Sequence, residues 1–136
     1  MAEPAGGRIF LYGTLRRGGS RDVLKFYEGA AFVSVARLRG TLYDLGNYPG
    51  LILDDEADFV IGELFDVTVQ ALAGLDEWEG IDPSKPDAGE YRRLQTTVEK
   101  PDGSPQQCWV YEIRSEVCAG RPVIESGDWL SHRPGS

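Results

Sequence analysis

The sequence predicts an α+β domain, a small mixed or antiparallel β-barrel with short flanking helices. Three observations lead there. Short apolar runs of alternating or buried-strand character recur along the chain, most of them are joined by turn-forming sequence, and only two stretches carry helical spacing. Strands joined by turns build antiparallel or mixed sheets, whereas a doubly wound chain would alternate strand and helix throughout.

The elements follow in order. Arg8 to Tyr12 is an apolar run closed by Gly13 and reads as a buried strand. Ser20 to Tyr27 reads as a short helix with Ser20 as N-cap, Asp22 in the first turn, and Val23, Leu24 and Tyr27 on one face. Residues 32–45 are strand-rich, with Gly40 breaking the run before Thr41-Leu42-Tyr43, and Asn47-Tyr48-Pro49-Gly50 is a turn by composition. Leu51 to Leu53 and Phe59 to Val67 are strands on either side of the acidic turn Asp54-Asp55-Glu56. Thr68 to Glu79 is the strongest helical segment: Thr68 caps it, Val69, Leu72 and Leu75 share a face, and Gly80 stops it. Residues 81–90 read as a surface loop. Tyr91 to Glu99 and Gln107 to Ile113 then form a hairpin around Pro101-Asp102-Gly103. Pro122 to Glu125 is a weak strand or turn, and about 126–136 is expected to be a flexible tail on a single domain spanning 1–136.

Composition narrows the function. The 136 residues are 41% hydrophobic and 26% charged, ordinary for a soluble globular domain. No apolar run approaches the roughly 18 residues a membrane helix needs. A net charge of -8, from 22 acidic against 14 basic residues, disfavours phosphate neutralisation and so argues against a nucleic-acid partner. The opening Met1 to Arg8 lacks the apolar centre of a secretory leader. Cys108 and Cys118 lack C-x-x-C spacing, which reads as a reduced, cytoplasmic chain without a disulfide. One histidine, His132, near the C-terminus supplies neither a structural zinc site nor a Ser-His-Asp or Cys-His machine. No metal is expected, and any chemistry falls to carboxylates, hydroxyls and backbone amides.

Two segments could carry that chemistry. In Tyr12-Gly13-Thr14-Leu15-Arg16-Arg17-Gly18-Gly19-Ser20 a strand ends in a glycine-containing loop before a helix, and successive N–H groups there can cradle a carboxylate or phosphate. Gly13, Gly18 and Ser20 mimic phosphate-loop spacing, yet Gly19 stands where the lysine belongs, which disfavours a nucleotide; the bland alternative is a plain turn. In Leu75-Asp76-Glu77-Trp78-Glu79-Gly80, at about 100° per residue, Glu79 shares the face of Leu72 and Leu75. Desolvation there would raise its pKa toward neutrality and suit it to general acid–base work. Alternatively it reaches solvent or pairs with Arg92 or Arg93. Tyr91 opens the following strand, as packing or as a hydroxyl offered to a pocket. Trp78, Trp109 and Trp129 read as core or pocket wall and Cys108 as a small buried hydrophobe.

The strand ending Tyr12-Gly13-Thr14-Leu15-Arg16-Arg17-Gly18, the run Gly40-Thr41-Leu42-Tyr43-Asp44-Leu45-Gly46-Asn47-Tyr48-Pro49-Gly50, then Gly62-Glu63-Leu64-Phe65-Asp66-Val67, Leu75-Asp76-Glu77-Trp78-Glu79-Gly80 and Tyr91-Arg92-Arg93 together resemble the γ-glutamylcyclotransferase family, with its AIG2-like and γ-glutamylamine cyclotransferase relatives. The resemblance runs from about Arg8 to about Ile113, with Tyr-Gly-Thr-Leu in place of the usual Tyr-Gly-Ser-Leu. It implies a small barrel with a cavity at its mouth. It also implies cleavage of a γ-glutamyl amine or amide by its own α-amine, releasing 5-oxoproline and a free amine without metal or cofactor. On the same grounds Glu79 is the catalytic residue, and Tyr12, Gly13, Thr14, Leu15 and Tyr91 bind substrate. The alternative is a non-catalytic domain that holds a small carboxylate in the same cavity. The leaving amine and the oligomeric state stay open.

Overall fold

The computed structural model describes residues 7–82, 84–85 and 88–132. In chain order the elements are β1 (Gly7–Leu11), α1 (Val23–Phe26), β2 (Ala30–Asp44), β3 (Pro49–Leu53), β4 (Phe59–Val67), α2 (Val69–Trp78), β5 (Tyr91–Glu99), β6 (Pro105–Ile113), a 3-10 turn (Ser115–Cys118) and α3 (Trp129–His132). The strands run β3-β2-β4-β1-β6-β5, and β5 pairs back onto β2 at Arg37 and Glu99. Five strands thus close a barrel, with β3 laid along the far half of β2. The barrel is mixed: β1 runs parallel to β6 at Ile9 and Trp109, and the other pairs are antiparallel. Among the described residues no helix is long and apolar enough to cross a membrane.

Strand alternation divides the core in two. Phe10 faces Leu38, Val60, Leu64, Val98, Val110 and Trp129, a cluster drawn from all five barrel strands. Ile9 and Leu11 face the other way and pack with Phe65, Leu72 and Leu75, which seats α2 on the barrel wall. The helix starts where Thr68 accepts the Ala71 N–H at 3.1 Å. Its buried face is Ala71, Leu72 and Leu75; Val69, expected on that face, is half exposed.

Other expectations are corrected. The first helix begins at Val23 rather than Ser20, because Asp22 is its cap, accepting N–H bonds from Leu24 and Gly18 at 2.9 Å each. Gly40 does not break β2. It sits where β2 changes partner from β4 to β3, and a Cβ there would lie 2.7 Å from the Ile52 carbonyl oxygen, so the glycine permits a fold-over inside one continuous strand. Pro49 and Gly50 belong to β3 rather than to the turn before it, and β6 begins two residues before the expected Gln107. Val123 makes only an isolated bridge to Tyr43. Residues 126–132 pack against the barrel instead of trailing from it: Trp129 is 2% exposed and His132 Nε2 lies 2.9 Å from Asp44 Oδ2. Residues 133–136 of the expected tail lie outside the described residues. Cys108 and Cys118 are buried free thiols, and burial pushes Cys108 up to about 12.

Candidate active site

The end of α2 is fixed by a two-bond C-cap. The Gly80 N–H reaches the Glu77 carbonyl at 3.1 Å and the Ile81 N–H reaches the Asp76 carbonyl at 2.9 Å, with Gly80 at φ +78 where an L side chain is strained. Glu79, the capping residue itself, donates its N–H to Leu75 at 2.9 Å and is therefore held rigidly at the helix end. The loop after β1 is tied differently. The carbonyls of Gly13, Thr14 and Leu15 accept from Arg16, Arg21 and Val23 at 3.1, 2.9 and 2.9 Å. With those carbonyls engaged inside the loop, the N–H groups of Gly13, Thr14 and Leu15 have no partner among the described residues. Successive unpaired amides in a turn can hold an anion.

Both features open onto one cavity of about 520 Å³ between the loop, the end of α2 and the start of β5. Every residue singled out from the sequence lines it: Tyr12, Gly13, Thr14, Leu15, Glu79 and Tyr91. Their contributions differ. Leu15 is buried and packs in the core, while Gly13 and Thr14 are partly exposed. Tyr12 donates its hydroxyl to the Tyr111 carbonyl at 2.7 Å, and Tyr91 donates to the Pro49 carbonyl at 2.6 Å. Burial raises both phenols well above their ordinary pKa, so they stay protonated and serve as braced walls.

Glu79 is half-buried, and neither Arg92 nor Arg93 reaches it. Arg92 is taken by Glu112, and Arg93 forks onto Asp76 at 2.8 and 3.0 Å beneath a 2.7 Å bond from the Tyr111 hydroxyl to the same carboxylate. Desolvation first, then the neighbouring Asp76 and Glu90 charges, raise Glu79 to about 7. Its carboxyl is therefore expected to titrate near pH 7 in side-chain carbon NMR. Asp76→Asn, which removes one of the two like charges, is expected to move that titration to lower pH. An ordinary titration below pH 5 would remove the basis for a proton-transfer role.

Trp78, read from the sequence as core or pocket wall, lines the cavity; Ser20, Asn47, Tyr48, Gly89 and Glu90 were not anticipated as lining residues. Tyr48 donates to Glu90 at 2.9 Å across the mouth. Among the described residues the lining holds no lysine, arginine or histidine, so there a ligand carboxylate meets amides and hydroxyls.

The sequence profile of the gamma-glutamyl cyclotransferase, AIG2-like family matches residues 9–131. The chain belongs to this family. A relative from Halalkalibacterium halodurans, carrying gamma-glutamylcyclotransferase as a provisional name, is 40% identical over 92 residues, which is 67% of this chain and 78% of that protein. The crystal structure of an AIG2-like protein from Mus musculus superposes with a TM-score of 0.74 at 30% identity, covering 94% of this chain and 90% of that one. YkqA from Bacillus subtilis shares the fold at a TM-score of 0.70 and 24% identity; the match covers 93% of this chain and 40% of YkqA. The gamma-glutamyl cyclotransferase, AIG2-like profile covers every residue that lines the cavity.

Proposed function

We infer that the protein is a γ-glutamylcyclotransferase acting on γ-glutamyl amines or amides, with Glu79 as its general acid–base. One observation carries the reading: a glutamate raised to about 7 lines the same cavity as three consecutive residues whose backbone N–H groups have no partner among the described residues. The amides of Gly13, Thr14 and Leu15 are suited to the α-carboxylate of the glutamyl group, whose α-ammonium then has Glu79 as the titratable acceptor in reach of the same space. Glu79 takes a proton from that ammonium, and the freed amine attacks the γ-carbonyl carbon. A five-membered ring closes, the old carbon–nitrogen bond breaks, and the protons shed by the α-nitrogen leave on the departing amine. Holding the chain folded makes the attack intramolecular, the larger part of the gain. Because the Tyr91 hydroxyl proton is engaged by Pro49, Tyr91 shapes the pocket and amide donors serve the oxyanion better. The reading requires neither metal nor cofactor. We place the protein in the cytoplasm on the same reading, which the free thiols of Cys108 and Cys118 support.

The test is mass-spectrometric detection of 5-oxoproline after incubation with a panel of γ-glutamyl amines, γ-glutamyl dipeptides and glutathione. Product from at least one substrate is expected, and the fastest substrate identifies the leaving amine. No product from folded protein, together with a melting-temperature rise on adding 5-oxoproline or glutamate, would favour the carboxylate-binding alternative.

A further inference from the structure

We propose that Glu63, clamped by Arg16 and Arg17, is the positioning residue of the substrate loop, and that Asp128 near the C-terminus completes the clamp. The functional half of this proposal rests on the cyclotransferase reading; the structural half does not. Glu63 stands on β4 opposite Leu11, the last residue of β1, and is only 4% exposed. Its Oε1 accepts the Arg17 backbone N–H at 2.9 Å, and its carboxylate lies 3.5 Å from the Arg16 guanidinium and 3.6 Å from that of Arg17. Arg16, itself 7% exposed, donates from Nη1 to Asp128 Oδ1 at 2.8 Å.

None of these four residues lines the cavity, yet the loop that does is held by them. The other backbone bonds of residues 13–19 stay within residues 13–23: Arg16 to Gly13, Gly19 to Arg16, Arg21 to Thr14, Val23 to Leu15. The Arg17 N–H alone among these is anchored to the barrel wall, and Glu63 is its anchor. Enclosing two opposite charges is an expensive way to gain stability, since an apolar pair of similar volume often does as well. Arg16 even keeps a buried Nε without a hydrogen-bond partner. What charge and directed hydrogen bonds supply, and apolar packing does not, is a fixed orientation. Here the oriented object is the turn that presents the Gly13, Thr14 and Leu15 amides. Asp128 extends the clamp to the far end of the chain. Its neighbour Gly127 accepts the Ile61 N–H of β4 at 2.8 Å, and Asp128 binds the Ser131 hydroxyl at 3.2 Å, so the segment entering α3 is docked on β4 behind the loop.

The proposal is tested with Glu63→Ala, Glu63→Gln and Asp128→Ala by two independent readouts. Amide hydrogen exchange of residues 12–20 is expected to be about tenfold faster or more in Glu63→Ala, with β5 and β6 at wild-type protection. Asp128→Ala is expected to do the same more weakly. With the best γ-glutamyl substrate, KM should rise about tenfold while kcat stays within about threefold, because a carboxylate cradle holds ground and transition states alike. Glu63→Gln keeps an oxygen for the Arg17 N–H and is expected to recover most of the KM. Unchanged loop exchange in Glu63→Ala, or faster exchange spread evenly over every strand, overturns the proposal. If Glu63→Ala does not fold, Glu63→Gln and Asp128→Ala decide by the same exchange comparison. If wild type turns over nothing, the catalytic reading falls, and the exchange result alone decides the clamp.

Discussion

Glu79→Gln is expected to lower kcat by about 10²- to 10⁴-fold, the usual worth of a positioned proton-transfer group, while leaving the fold intact. Glutamine preserves the shape and hydrogen-bonding reach of the side chain but cannot accept the ammonium proton. The same substitution carries a stability signature of opposite sign. Because the folded protein raises Glu79 from 4.5 to about 7, it binds that proton more tightly than the unfolded chain does. The associated stability is fully present below pH 4.5 and is lost as pH rises through 7. The loss is on the order of 1–3 kcal/mol after discounting for the part of the carboxyl that meets water. Glutamine escapes it. The melting temperature of the variant should therefore gain on wild type between pH 5 and pH 8. Near-wild-type turnover would show that Glu79 is not the shuttle, and a melting difference flat with pH would show that it is not desolvated.

Gly13→Ala is the second large effect, expected to lower kcat/KM by about 10²-fold, the scale on which small displacements of a positioning group are felt. A Cβ at residue 13 would lie 2.7 Å from Cγ and 2.9 Å from Cδ of Pro49, a ring that cannot rotate away. Pro49 in turn is bound through its carbonyl to Tyr91, so the loop must yield and carry its amides with it. Steady-state kinetics beside a thermal melt would check this. Normal kcat/KM with a normal melt would mean that the loop does not hold substrate.

How much of this was readable from the sequence depended on how local the determinants were. Phe59–Val67 and the Thr68 cap of α2 were legible because strand alternation and capping chemistry act within a few residues. Glu79 was legible as an apolar-face carboxylate, although sequence alone could not decide whether Arg93 would neutralise it; Asp76, three residues earlier, takes that arginine instead. Ser20 was read as the cap and Asp22 as a first-turn residue, but Asp22 caps the helix because its carboxylate takes the N–H groups of Leu24 and Gly18, a bond reaching four residues back that spacing alone does not show. The lining residues Asn47, Tyr48, Gly89 and Glu90 come from two irregular segments brought together only by the closed barrel. The Glu63–Arg16–Asp128 network was invisible for the same reason, since charged residues far apart in sequence normally read as solvated surface. Trp129 was rightly read as core, but the segment around it looked like a loose end because four residues of helix give too little periodicity to read.

The single parallel seam has a consequence for how the molecule comes into being. Ile9 meets Trp109 across that seam, so β1 awaits a partner made a hundred positions later. At the usual pace of ~5–20 residues per second, β1 spends several seconds with one ladder of backbone groups unsatisfied, although β4 can already cover the other. Closure therefore waits until β6 has been made, with the millisecond-to-second kinetics of chains dominated by distant pairings. Nascent chains stalled before β6 should be the species that chaperones hold and proteases find.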